Sequence, residues 1–255
     1  MTALARHSGR PPTGPAGDRT AEEQAALHAF RLARARAWFE AAAAAAPDRL
    51  CPICGYAGPF SPVRHKIGIW CPGCDSRPRH RLMHLWLTRT AVLREGLRIL
   101  HFAAEPFLRP MAEAAGSTYT TADIAPGFDR VLDIEAIALP DACQDLVIAN
   151  HVLEHVDDAR ALAECARILA PGGRLVVTVP IIEGWETTLE APGDADAETR
   201  ARLLGDPDHR RFYGRDIRDR IAAAGLAVET VTAAEPDVST HGLNRGETLF
   251  IGVHP

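Results

Sequence analysis

The stretch from Asp145 to Pro180 constrains the fold more than any other, because it switches between two kinds of hydrophobic periodicity. Asp145-Leu-Val-Ile-Ala-Asn150 is a short apolar run of the kind found in strands buried on both faces of a parallel sheet. From Asp157 to Ala170 the apolar residues Ala161, Leu162, Cys165, Ile168 and Leu169 recur at helical spacing. Asp157 and Asp158 stand in the first turn, where the helix dipole favours negative charge. Pro171-Gly172-Gly173 ends this helix, and Arg174-Leu-Val-Val-Thr-Val-Pro180 resumes as a second buried strand. Strand, helix and strand make a βαβ unit with a right-handed crossover, which commits the chain to a parallel α/β sheet.

Upstream, Cys51-Pro-Ile-Cys54 and Cys71-Pro-Gly-Cys74 form two Cys-x-x-Cys knuckles. Their separation matches the zinc ribbon, in which each knuckle supplies two thiolates to a tetrahedral ion and a short hairpin joins them. Four thiolates leave no open position, so such a zinc is structural. A disulfide pair is the alternative, disfavoured in a reducing compartment. Arg6, Arg10 and Arg19, set among Gly and Pro, leave no apolar run for a leader or spanning helix, so a cytoplasmic protein without membrane contact is expected.

The remaining organisation follows in chain order. Residues 1–19 are rich in Pro, Gly and Ser and read as a disordered tail. Residues 20–47 read as one long helix ended by Pro47. Its apolar residues Leu27, Phe30, Leu32, Trp38 and Phe39 leave two options open, packing on the main domain or pairing with a second subunit as a homodimer. The zinc ribbon occupies 48–78, a linking helix 79–96, and the α/β domain 97–255. Residues 1–90 carry 13 Lys and Arg against 6 Asp and Glu, while residues 91–255 carry 15 against 27. The acidic half argues against a broad nucleic-acid surface there. Arg77, Arg79, His80 and Arg81 follow the ribbon and read either as an anion-binding patch or as a solvated helix start.

Asp145-Leu-Val-Ile-Ala-Asn-His-Val-Leu-Glu-His155, with Arg-Ile-Leu-Ala-Pro-Gly-Gly173 and the strand behind it, resembles the fourth and fifth strands of class I S-adenosylmethionine-dependent methyltransferases. The resemblance implies a Rossmann-like sheet of seven strands with the last one antiparallel. It runs from Leu97–Ala103 as first strand to Glu247–Val253 as last. It also implies a cofactor site built from His101, Ala103 and Glu105 after the first strand, Asp123 and Ile124 after the second, Asp133 and Ile134 after the third, and Asn150 and His151 after the fourth. In nucleotide-binding folds the acid ending the second strand accepts from ribose hydroxyls, and ligands sit beyond the carboxyl ends of the strands. One departure stands out: the first loop, His101-Phe-Ala-Ala-Glu-Pro106, lacks the glycines this family usually has there.

Beyond Pro180, the segment Asp206-Pro-Asp-His209-Arg210-Arg211-Phe-Tyr213 concentrates hydrogen-bonding side chains in a loop. His209 is the candidate general base, since a neutral imidazole near pH 7 can take a proton from an attacking hydroxyl or amine. His155, Arg210, Arg211 and Tyr213 are the candidate substrate residues. The expected activity is methyl transfer from S-adenosylmethionine to oxygen or nitrogen of a small-molecule or saccharide acceptor. Two alternatives accompany it. One is an RNA methyltransferase gripping phosphates with the basic ribbon, disfavoured because the ribbon has few aromatic residues. The other is a non-catalytic zinc-binding interaction protein with a degenerate loop.

Overall fold

A computed structural model describes residues 20–63 and 66–255; the expected tail over 1–19 lies outside the described residues. The chain begins with α1 (Ala21–Ala44), started by a capping box in which the Thr20 hydroxyl accepts from the Glu23 amide and the Glu23 carboxylate accepts from the Thr20 amide. Two hairpins follow, β1 (Asp48–Leu50) with β2 (Ala57–Pro59) and β3 (Ser61–Val63) with β4 (Lys66–Trp70), each antiparallel. Helix α1 rests against β4, burying Leu27, while Trp38 and Leu32 stay exposed. Its main contact is therefore with the ribbon.

Helix α2 (Pro78–Thr90) has proline in its first turn, where the missing N–H costs nothing. The main sheet then unfolds in sequence: β5 (Arg98–Phe102), α3 (Leu108–Ala114), β6 (Thr118–Asp123), β7 (Arg130–Val131) and β8 (Gln144–Asn150). A 3-10 turn (Leu153–His155) leads into α4 (Asp158–Ile168), capped by the Asp157 side chain, and β9 (Leu169–Thr178). An insertion carries β10 (Leu189–Glu190), α5 (Ala197–Leu204) and β11 (Arg211–Phe212). Last come α6 (Ile217–Ala223), β12 (Ala227–Thr232), α7 (Asp237–His241) and β13 (Thr248–Val253).

Seven strands form one sheet in the order β12-β13-β9-β8-β5-β6-β7, with β13 antiparallel to both neighbours and the other adjacent pairs parallel. This is the Rossmann-like arrangement the sequence led us to expect, last strand reversed. Helices cover both faces, as a parallel sheet requires. On one side Leu162, Cys165, Ile217 and Ile221 from α4 and α6 bury against Val147 and Val177. On the other, Leu82, Trp86 and Leu87 of α2 and Leu108 of α3 bury against Ile99, Ile148 and Val176. Each such side chain contributes about 1.5–3 kcal/mol on leaving water. The linking helix is thus part of the sheet's cover. The Pro171-Gly172-Gly173 segment lies within β9 as an irregular start. A Cβ at Gly173 would stand 2.7 Å from the Ala170 carbonyl oxygen, so only glycine fits there. No helix among the described residues is long and apolar enough to cross a membrane.

Candidate functional site

The order reverses between β5 and β8: the chain winds outward through β6 and β7, then returns to β8 on the other side of β5. Such a switch point opens a crevice at the carboxyl ends of the strands, where open α/β sheets bind ligands. The loop after β5 makes its turn without glycine. Ala103 takes the left-handed conformation, φ +48°, and its amide donates to the Ala122 carbonyl (3.0 Å). Alanine thus holds a positive-φ turn that glycine would adopt without strain.

Glu105, buried, ends this turn and gathers the polar groups of three elements. Arg79 Nε of α2 donates to Oε1 (3.4 Å), and Asn150 Nδ2 from the end of β8 donates to Oε2 (3.1 Å). His80 Nε2 stands 3.3 Å from Oε1 and His101 Nε2 stands 3.0 Å from Oε2. Burial alone would raise the Glu105 pKa, but the hydrogen bonds and charge of His101 and His80 outweigh it and hold the carboxyl well below the usual range. Burial also draws the His80 imidazole below its ordinary value, against the pull of Glu105. His101 Nδ1 meets the Tyr119 hydroxyl at 2.7 Å. Burial raises the Tyr119 phenol, so it remains protonated beside Nδ1. Asn150 is fixed in turn by the Thr178 hydroxyl, which donates to its Oδ1 (3.1 Å).

This network corrects one expectation. His101 is fully buried beneath the loop, with Nδ1 on the Tyr119 hydroxyl and Nε2 3.0 Å from Glu105, so it sits behind Glu105 with no ring atom exposed to a cofactor. Glu105 likewise has both oxygens committed to the protein. Asp123 ends β6 with Ile124 behind it, and Asp133 and Ile134 follow β7, so all four stand at the carboxyl ends of their strands. Asp123 Oδ1 accepts from the Ala125 amide and Asp133 Oδ1 from the Glu135 amide, each at 2.9 Å. Among the described residues no protein donor reaches the second oxygen of either, which leaves both acids able to accept from a ligand. Ile134 is buried and Ile124 is exposed.

On the other side of Asn150 the chain turns at His151, φ +53°, whose amide donates to the Thr178 carbonyl. Glu154 is fully buried and its Oε1 lies 3.0 Å from His151 Nδ1. His155 and His209 meet edge to face with ring centroids 4.9 Å apart. Burial draws His209 below its ordinary value; the charge of Glu154 opposes this and the neighbouring His155 adds to it. Arg210 is exposed, its backbone tied to the Glu154 carbonyl and its guanidinium 3.9 Å from Glu135. The structure therefore brings His151, His155, His209 and Arg210 together.

Arg211 and Tyr213 are corrections. The Arg211 guanidinium is buried, donating to the carbonyls of Leu153 and Val156 and to Glu190, and Tyr213 is buried with its hydroxyl donating to Asp158 Oδ2 (3.0 Å). Both hold the insertion onto the turn after β8, and neither presents a group to a substrate. A cavity of about 490 Å³ lined by residues 190–193, Arg200, Arg210 and Arg211 belongs to the insertion and includes no residue of the seven-stranded sheet.

The four knuckle cysteines converge. Cys51 and Cys74 sulfurs are 3.7 Å apart and Cys54 and Cys71 sulfurs 3.5 Å, and all four lie within 4.8 Å of one another. Tetrahedral thiolates at about 2.3 Å from zinc would be about 3.8 Å apart, so the donor set fits. Burial pushes the Cys71 thiol up to about 12. In Cys51 the Ser76 hydroxyl and nearby amides overcome burial and draw the thiol down to about 7. Four thiolates together need a cation between them.

Arg81 locks this module to the sheet's cover. Fully buried, it donates to the carbonyls of His241 (2.8 Å), Gly242 (2.7 Å), Ile69 (3.0 Å) and Ser76, and lies over the Phe60 ring. It is withdrawn from any anion-binding patch. In the sequence Arg81 is only one of the cations after the ribbon, and nothing there marks Glu154 as buried.

Comparison with known proteins agrees with the sheet. Residues 105–177 match the methyltransferase domain family model. The chain is 37% identical over 102 residues to an uncharacterised 37.1 kDa protein in transposon TN4556 of Streptomyces fradiae, covering 39% of this chain and 29% of that protein. It is 47% identical over 47 residues to a malonyl-[acyl-carrier protein] O-methyltransferase of Hahella chejuensis, covering 18% of this chain and 17% of the other. The chain thus spans less than a third of the length of these curated relatives. A chain from a Haloferax volcanii complex of the Trm112 methyltransferase activator with a methyltransferase superposes with a TM-score of 0.51 at 19% identity, covering 69% of this chain and 91% of that one.

Proposed function

We propose that this chain, whose residues 105–177 form a methyltransferase domain, is an S-adenosylmethionine-dependent methyltransferase acting on oxygen or nitrogen of a small-molecule or saccharide acceptor. The observation that carries the reading is the switch-point crevice with Asp123, Asp133 and Asn150 at the carboxyl ends of three successive strands of the expected order. Asp123 would hold the ribose hydroxyls, Asp133 and Ile134 the adenine, and the exposed backbone at Ala103 the methionine end. When bound, the cofactor supplies a methyl group on a cationic sulfur, a leaving group already activated. The protein's task is then placement: Asn150, fixed by Thr178 and Glu105, and the wall of His151, His155, His209 and Arg210 orient the acceptor in line.

The Cys51, Cys54, Cys71 and Cys74 quartet would hold one structural zinc, which a reducing cytoplasm leaves free of disulfide competition. The RNA alternative has less support, because Arg81 is buried and Arg79 is committed to Glu105, which removes two cations from the basic patch.

Calorimetric titration of the zinc-loaded protein with S-adenosylhomocysteine tests the reading. Micromolar binding that is lost in Asp123→Ala supports it. No binding by the wild-type chain overturns it and leaves the non-catalytic alternative.

A further inference from the structure

Glu154 is the one fully buried carboxylate among the described residues whose second oxygen has no hydrogen-bond partner. Leaving such an atom unpaired in the interior costs about 1–3 kcal/mol or more for a charged group. A second unpartnered buried atom lies beside it, Nδ1 of His209. One donor atom each from Glu154, His155 and His209 falls within 4.8 Å of the others.

The local chain explains the convergence. The 3-10 turn after β8 places His151, Glu154 and His155 at i, i+3 and i+4, and the Arg210 amide, bonded to the Glu154 carbonyl, pins the next segment so that His209 meets His155. His155 Nδ1 lies 3.3 Å from the Asp208 carbonyl oxygen, a contact in which only the nitrogen can donate. The proton is then on Nδ1 and the Nε2 lone pair is free. Metal-ligating histidines are commonly held this way, one nitrogen bonded to a carbonyl and the other to the ion.

We propose that Glu154, His155 and His209 form a binding site for one divalent transition ion, separate from the cysteine quartet. One carboxylate and two imidazoles suit zinc, manganese, iron(II), cobalt or nickel, and disfavour magnesium and calcium, which take oxygen ligands. Donors at about 2.1 Å from an ion stand about 3–4.2 Å apart, so the present spread closes with side-chain movements of under about 1 Å. The role replaces the base expected of His209, since a lone pair held by an ion takes no proton. Resting on the methyltransferase reading, the ion's remaining position at the end of β8 is where a hydroxyl or carboxylate oxygen of the acceptor would bind.

The test is titration with cobalt(II) of protein carrying a single equivalent of zinc, the one the quartet holds, followed by visible absorption. The expected result is one further equivalent bound, with weak ligand-field bands and without the intense sulfur-to-cobalt band that displacement of zinc from the quartet would produce. Glu154→Gln and His209→Gln should each weaken that binding about tenfold or more. His155→Asn serves as a third variant, and unaltered thermal unfolding without cobalt shows that each variant is folded. Absence of a second equivalent, or undiminished binding in both folded Glu154→Gln and His209→Gln, overturns the site. S-adenosylhomocysteine binding is measured on the same samples: cobalt binding without it would defeat the methyltransferase reading and spare the metal site, and the converse would do the reverse.

Discussion

Replacing Glu105 by glutamine keeps the shape of the side chain and removes its charge, which isolates the role of the carboxylate at the switch point. The amide oxygen can still accept from one neighbour, but the amide nitrogen is a donor placed where two donors already converge, either Arg79 and His80 or Asn150 and His101. Hydrogen bonds to a charged partner contribute about 1.5–3 kcal/mol each, and breaking a buried charge pair costs about 3–5 kcal/mol. We take about 3 kcal/mol, the low end, because the contacts on Oε1 are long. For a chain of this size 1 kcal/mol corresponds to about 2–4 °C, so Tm should fall by about 6–12 °C. Thermal unfolding followed by circular dichroism at pH 7.5 measures it. S-adenosylhomocysteine affinity should fall too, because Asn150 and the Ala103 turn lose their common support. A Tm within about 2 °C of wild type would refute the claim that Glu105 joins α2 to the sheet.

Lowering pH from 7 to 5 should reduce stability. Burial depresses the folded-state values of His80 and His84, so the unfolded chain binds more protons as pH passes below about 6.5. The stabilising share of Glu105, whose folded value is depressed, persists until pH falls below about 4.5 and is lost only further down. A His80→Gln variant should show a shallower decline between pH 7 and 5, and an unchanged slope in urea midpoints would contradict this. Asp123→Ala should weaken S-adenosylhomocysteine binding about tenfold, the loss of a hydrogen-bonded carboxylate, with Tm unchanged; equal affinity by calorimetry would remove it from the cofactor site. Cys71→Ser should release the zinc, seen by elemental analysis, and a full equivalent retained would defeat the four-thiolate assignment. Tyr213→Phe should cost about 1 kcal/mol of stability and leave turnover intact, whereas a large loss of kcat with normal Tm would restore Tyr213 to the substrate site.

Local pattern made the sheet legible. Apolar runs and the helical repeat of α4 located β8, α4 and β9 to within a few residues, and fixed spacing located the cysteine quartet. What the sequence could not show were contacts between distant segments. Glu105 read as a cofactor acid because its partners Arg79, His80 and Asn150 meet it only once the strands are ordered. Arg211 and Tyr213 read as substrate residues because a polar loop gives no sign of which side chains turn inward. Pairing of β11 with β10 buries Arg211, and Tyr213 turns onto Asp158. Arg81 read as one of four similar cations, and only the close approach of β4 and α7 singles it out.

Alanine at position 103 also changes what the loop does before any ligand arrives. Holding alanine in the left-handed region costs about 1–2 kcal/mol, while the smaller conformational freedom of an unfolded alanine chain returns about 0.4–1 kcal/mol relative to glycine. The exchange leaves a net cost of about 0–1.6 kcal/mol, and its two halves act on different states. Glycine at this point would wander among mirror-image conformations in the folded protein and would have to be ordered by whatever it meets. Alanine, flanked by the Glu105 network, has one conformation available. The loop is set in advance, so association with its ligand should show a small entropy penalty and little dependence on loop motion.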